Sequence, residues 1–233
     1  MSNDYLKLPF QYSEGLLFRD LEICQKFRFT DHYNTSDFTG KWTSIALRSS
    51  SGDYKEIFAT ELSPENYKDT QLMKSCTYFQ KIVDSFKCKK LSVRLLNLLP
   101  GSSIKEHCDH DLSYTDGEFR IHIPITTNPN VSFCINSINV TMLPGECWYG
   151  DFTLPHSVKN EGMTDRAHLV VDCIRNPWTD DLFMKSGYDL TLDKSVEYDK
   201  NTKLKMIQEL ERIHTPASLD LIKKFKAEIK NAE

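Results

Sequence analysis

From residue 91 to residue 174 the chain is a succession of short apolar runs cut by turn residues, and this punctuation leaves few folds open. SVRLLNLL runs into Pro100-Gly101, and RIHIPITT alternates polar and apolar positions over 120–127. VSFCI and INVTML flank a turn-like Asn136-Ser137. Pro144-Gly145 and Pro155 punctuate the next stretch, and RAHLVVDCI (166–174) is the last clear strand. Short strands at this spacing predict an all-β sandwich or a barrel-like roll. Gly101, Gly117 and Gly145 are expected in turns.

Helical periodicity brackets this zone. A strand is expected at Trp42–Leu47, then a turn through Ser49, Ser50, Ser51 and Gly52. Ser63-Pro64 has the form of a helix start, and Leu72, Cys76, Phe79, Ile82, Val83 and Phe86 follow at helical spacing. One amphipathic helix packed on a sheet is expected there. After Trp178, KLKMIQELERI places Leu204, Ile207 and Leu210 on one face. Thr215-Pro216 then opens a helix with Leu219, Ile222, Phe225 and Ile229 on its stripe. The expected organisation is mainly β with flanking helices. Residues 1–178 form the β domain with N-terminal α/β elements, and 179–233 a C-terminal helical extension packed on it.

Composition narrows the function classes. The net charge of −4, with no clustered Lys or Arg, excludes a nucleic-acid footprint. No run is apolar enough for a membrane helix, and MSNDYLKLPF lacks the features of a signal peptide. Seven cysteines, an odd number without a CxxC, fit reduced and mostly buried thiols and a cytoplasmic location.

Five of the seven histidines lie between His107 and His168. His107-Cys108-Asp109 is an H-x-D, and on an extended segment its two outer side chains face one way. His156, just after Pro155, can add a third ligand from another strand. Two histidines and one carboxylate with an open face form the facial triad of non-haem Fe(II) sites. Arg166 opens the last strand, and its guanidinium is suited to gripping a carboxylate. Arg120 and His122 alternate on the strand after the loop and face the same way. Cys108 alternates away from the H-x-D pair and is read as packing, and Trp148 and Tyr149 as structural. The same His/Asp/His set would also serve a zinc hydrolase with an open water position, and a non-catalytic β-roll binding module is the bland alternative.

The blocks LLPGSSIKEHCDHD, FRIHIPI, PGECWYGDFTLPHSVKNEG and DRAHLVVD resemble, in order and spacing, the aspartyl/asparaginyl β-hydroxylase family of Fe(II)- and 2-oxoglutarate-dependent dioxygenases. The resemblance covers roughly residues 91–178. It implies a double-stranded β-helix core of the jelly-roll or cupin kind. It implies Fe(II) on His107 and His156, and Arg166 on the distal carboxylate of 2-oxoglutarate. Arg120 and His122 match the R-x-H lining that pocket, and O2 is the remaining cosubstrate. The animal enzymes of the family lack the carboxylate ligand. Asp109 makes this chain more similar to the small bacterial members, including free-proline hydroxylases, and favours hydroxylation over halogenation. The family's serine for 2-oxoglutarate falls at Leu96, with Arg94 nearby as a polar substitute. His110 and Asp111 are expected beside the ligands, and His168 either in the pocket or as a satisfied core histidine. The expected substrate is an amino acid, free or within a peptide, with succinate and CO2 as coproducts.

Overall fold

A computed structural model describes residues 3–33, 35–58, 63–109, 112–193, 199–213 and 216–231. Strand β1 (Tyr5–Gln11) is followed by α1 (Glu14–Gln25), β2 (Thr30–Asp31), β3 (Phe38–Thr39) and β4 (Trp42–Ser49). Next come β5 (Lys68–Asp69), α2 (Gln71–Ser75), α3 (Thr77–Ser85), β6 (Lys90–Leu98) and β7 (Ser102–His107). The central strands are β8 (Glu118–Thr126), β9 (Val131–Ile135), β10 (Ile138–Asn139), β11 (Glu146–Gly150), β12 (His156–Asn160) and β13 (Arg166–Ile174). Helices α4 (Pro177–Lys185), α5 (Lys200–Ile213) and α6 (Pro216–Asn231) come last.

The strands form two antiparallel sheets. The larger has the order β1-β11-β8-β13-β6-β4-β2, with β5 on β4; the smaller is β10-β9-β12-β7-β3. Trp42, Leu98, Ile104, Phe133, Phe152, Val158 and Val170 make a core from both sheets. The other face of the large sheet packs against Leu17, Leu21, Phe79, Ile82, Val83 and Phe183 from α1, α3 and α4. Strands β6 and β13 are thus buried on both faces, which is why they read as near-continuous apolar runs. Strand β12 alternates buried and accessible residues, as a sheet with one solvated face does. The result is the double-stranded β-helix expected from the sequence.

Local chemistry sets the turns. Asn136 and Ser137 both take positive φ, 47° and 65°, in the two-residue hairpin joining β9 to β10. Gly145 has φ +79°, and a Cβ there would stand 2.4 Å from the Tyr12 carbonyl oxygen, so only glycine fits.

The single helix expected from Ser63 is three elements: a 3-10 turn (Pro64–Asn66), then α2 and α3, broken at Cys76. Thr70 caps α2 by accepting from the Met73 amide. The cap of α3 comes from a different helix. The buried Asp20 carboxylate of α1 accepts the Tyr78 and Phe79 amides at 2.7 and 3.0 Å. Periodicity survives the break because both segments bury the same face. Asp20→Ala should cost about 2–3 kcal/mol of stability by leaving buried amides unsatisfied. A denaturant midpoint unchanged from wild type would show that this cap contributes nothing.

The chain divides into two compact units, Met1–Leu192 and Asp193–Glu233, and α4 belongs to the first. In the second, α5 and α6 pack through Ile207, Ile222 and Phe225. Leu204 and Leu219, expected on that stripe, are exposed instead. Thr215 lies outside the described residues. No described helix is long and apolar enough to cross a membrane.

Candidate metal centre and anion pocket

Strands β7 and β12 pair antiparallel with His107 opposite His156, bringing the imidazole centroids to 4.2 Å. His107 Nδ1 lies 2.8 Å from the Lys105 carbonyl oxygen, and His156 Nδ1 lies 3.0 Å from that of Leu154. Each ring donates its Nδ1–H to a carbonyl two residues back, which leaves each Nε2 as a bare acceptor. Asp109 follows β7, tied down by its amide to the Phe152 carbonyl at 2.8 Å. His107, Asp109 and His156 each offer a ligand atom, all within 4.8 Å of one another. Two neutral nitrogen donors and one carboxylate oxygen are a fitting donor set for a divalent transition metal. Burial holds His156 down to about 4, so it stays neutral as a ligand must.

Arg120 does more than line a pocket. Its Nη1 donates to Asp109 Oδ2 at 2.7 Å, and its Nε donates to Asp172 Oδ1 at 2.7 Å. Asp109 Oδ1 remains on the side of His107 Nε2, 3.7 Å away. One carboxylate oxygen is held by the arginine and the other faces the histidines. Burial alone would raise the Asp109 pKa, but Arg120, His156, His107 and Arg94 together outweigh it and the net shift is downward. Asp172 also accepts from Arg94 at 2.9 Å and from Ser92 at 2.6 Å. Arg94 is therefore paired to Asp172, with its Nη1 donating to the Ile57 carbonyl.

Arg166 contrasts with both. It is 2% exposed, and among the described residues no carboxylate pairs with it. It bonds instead to His168 Nδ1 at 3.0 Å, and its Nε has no partner among the described residues. Desolvation pushes it down to about 9, still protonated at neutral pH. His122 Nδ1 approaches His168 Nδ1 at 3.2 Å, and burial holds both histidines well below the ordinary range. His168 Nδ1, accepting from Arg166, must carry the lone pair, so His122 donates to it and keeps a bare Nε2 without a partner among the described residues. Arg166 and His168 line a cavity of about 480 Å³ together with apolar Val131, Phe133 and Met142 and polar Asn128, Asn139 and Thr141. A buried guanidinium lining a cavity without a carboxylate partner among the described residues is suited to an anion.

The sequence-predicted residues thus fall into two groups. His107, Asp109, His156 and Arg120 meet at one end; Arg166, His168 and His122 meet at the other. Phe152 lies between, with its ring 4.9 Å from His156 and 5.0 Å from His122. His110 and Asp111 lie outside the described residues. Cys108 is exposed, because the turn after β7 carries it to the surface. Asp172, which sequence reasoning left without a role, joins the two arginines. Its even spacing from Arg166 on β13 was the signal that could have found it. His32 was also missed; it stacks on Trp42 at a centroid distance of 3.5 Å.

Both the sequence and the fold have known relatives. The family model described as aspartyl/asparaginyl beta-hydroxylase matches residues 18–176. An L-proline cis-4-hydroxylase from Rhizobium meliloti (strain 1021) is 30% identical over 166 residues. That match covers 70% of this chain and 58% of the relative, so the chain spans little more than half the length of the curated relative it matches. Among solved structures, an oxidoreductase of the 2OG-Fe(II) oxygenase family from Burkholderia pseudomallei shares the fold at a TM-score of 0.50 and 12% identity. The likeness covers 74% of this chain and 86% of that one. With its family model matched over most of the chain and the β-helix in place, the chain belongs to the aspartyl/asparaginyl β-hydroxylase family.

Proposed function

We propose that the chain is an Fe(II)- and 2-oxoglutarate-dependent hydroxylase of an amino acid, free or within a peptide. One observation carries the reading: a His/Asp/His donor set shares the interior of the β-helix with a buried arginine that has no carboxylate partner among the described residues. The family and the proline-hydroxylating relative support an amino-acid substrate. Fe(II) with 2-oxoglutarate and O2 supplies the chemistry, in which the cosubstrate leaves as succinate and CO2 and a substrate C–H becomes C–OH.

The chain's own residues bind, orient and shield. His107 and His156 present Nε2, and Asp109 presents one oxygen because Arg120 occupies the other. Arg166 takes the far carboxylate of 2-oxoglutarate, with His168 and His122 beside it. Phe152 and Phe133 wall the space between and exclude water. All seven cysteines are unpaired thiols, the state a reducing cytoplasm maintains.

Anaerobically purified protein should bind Fe(II), develop a visible absorption band when 2-oxoglutarate is added, and release succinate when supplied with one of the amino acids or a peptide. Zinc with no such band, or no metal binding, would remove the reading.

A further inference from the structure

The cavity on which Arg166 opens is not lined by the metal site. Among the described residues around it are none of His107, Asp109 and His156, and neither Phe152 nor Arg120. Strand register gives the reason. Arg120, whose guanidinium holds Asp109, sits near the start of β8 and pairs with Asp172. Ala167, next to Arg166, pairs with Thr126 at the other end of β8. The cavity therefore lies toward the end of the β-helix away from the metal site. Residues 127–131, between β8 and β9, form one lip, and residues 139–144, between β10 and β11, form the other. Pro129, Thr141 and Leu143 are exposed there, so the mouth meets solvent.

In the oxygenase reading, 2-oxoglutarate runs between the metal site and Arg166. The cavity continues from Arg166 the other way, and its volume of about 480 Å³ is in the range of a small-molecule site. Its chemistry is simple. The amide of Asn128 is already engaged, donating to Asn160 Oδ1 and to the Thr164 carbonyl, both at 3.1 Å. Asn139 Oδ1 accepts the Phe133 amide at 3.1 Å. Arg166 is the one charged group among the described lining residues, and His168 beside it is kept neutral by burial. The Arg166 Nη2 donates to His168, its Nε is buried without a partner among the described residues, and the Phe133 ring lies 5.0 Å from the guanidinium carbon. Val131, Val140, Met142 and Leu143 supply apolar wall between this floor and the mouth.

One positive charge at the bottom of an apolar shaft calls for a ligand with one negative charge at the end of an apolar body. A phosphate would leave its second charge unmatched. We propose that this rear cavity binds an aliphatic monocarboxylate, its carboxylate on Arg166 and its chain lying along Val131, Val140, Met142 and Leu143 toward the mouth. The consequence for the enzyme rests on the oxygenase reading of Arg166. The same guanidinium then serves two carboxylates from opposite ends, so the aliphatic acid excludes 2-oxoglutarate and acts as a competitor that never touches the metal.

The test begins with the full chain free of metal, titrated in a calorimeter with butanoate, hexanoate and octanoate, and with octanamide and octan-1-ol as uncharged controls. Affinity should rise by about threefold per added methylene, since each is buried against the apolar wall. Octanamide and octan-1-ol should bind at least about tenfold more weakly than octanoate. Leu143→Glu, at the exposed lip, should weaken octanoate by about tenfold and leave 2-oxoglutarate binding to the Co(II)-loaded protein within twofold of the unaltered chain. In that Co(II)-loaded protein, octanoate should raise the apparent Kd for 2-oxoglutarate in proportion to its concentration, read from the Co(II) visible spectrum. The proposal is overturned if no acid binds, if octanamide binds as well as octanoate, or if affinity is flat with chain length. Octanoate unaffected by Leu143→Glu would place it elsewhere, and octanoate and 2-oxoglutarate binding independently would remove it from Arg166; either result also overturns the proposal. Should Leu143→Glu fail to fold, the chain-length and acid-to-amide comparisons in the unaltered protein still decide. Octanoate binding with no 2-oxoglutarate response at all supports the rear cavity and sinks the oxygenase reading instead.

Discussion

Replacing His156 by alanine is expected to weaken Fe(II) binding by at least about 100-fold and to abolish succinate release. His156 is 6% exposed and is neutral by burial, so it offers Nε2 without a proton to displace. Its ring is fixed twice, by the Leu154 carbonyl on Nδ1 and by the strand pairing that sets it opposite His107. Alanine removes one of the three donors and leaves the strand intact, so the fold should persist with an unchanged far-ultraviolet spectrum. Calorimetric titration of the metal into apo-protein reads the loss directly, without reliance on turnover. Binding within a fewfold of the unaltered protein would mean that the three side chains are not the metal site.

The second large effect concerns Arg166. Arg166→Met keeps the length and removes the charge from a position that has no carboxylate partner among the described residues. Most buried arginines cost stability when truncated because an anion is stranded. Here nothing is stranded, and removing a desolvated charge should leave the apo-protein as stable as before or more so. Affinity for 2-oxoglutarate should fall by about 100-fold or more, since the far carboxylate loses its only cationic partner. The split between the two measurements is the point of the experiment. A large loss of stability with unchanged 2-oxoglutarate affinity would assign Arg166 to the fold and not to the cosubstrate. Arg166→Lys should recover only part of the affinity, because a point charge cannot reproduce the two-pronged geometry.

Much of this was legible in the residues. The strand pattern from 91 to 174 specified a β roll because alternation and turn residues act locally. The H-x-D was legible for the same reason, since its spacing puts both outer side chains on one side of an extended segment, and the late His156 and opening Arg166 stood out as polar residues at strand starts. The helix through Leu72 and Phe86 was half legible. Its buried stripe was right, but the break at Cys76 depends on Asp20, more than fifty residues away in the chain. The exposed Leu204 and Leu219 show the converse, an apolar periodicity broader than the face that α5 and α6 bury together.

By itself, then, the sequence determined the class of fold and the family, and it named the side chains proposed to bind a metal and a carboxylate. Tertiary structure decided how those side chains divide their partners. Arg94, Arg120 and Arg166 are the same residue type on neighbouring strands, and no local pattern distinguishes them. Cross-strand register gives Arg120 and Arg94 to Asp172, the segment after β7 brings Asp109 to Arg120, and Arg166 is left with a neutral histidine. The physical reason is that the energy of a buried charge depends on what lies within a few ångströms of it in space. That neighbourhood is assembled from four or five distant segments, and only folding brings them together.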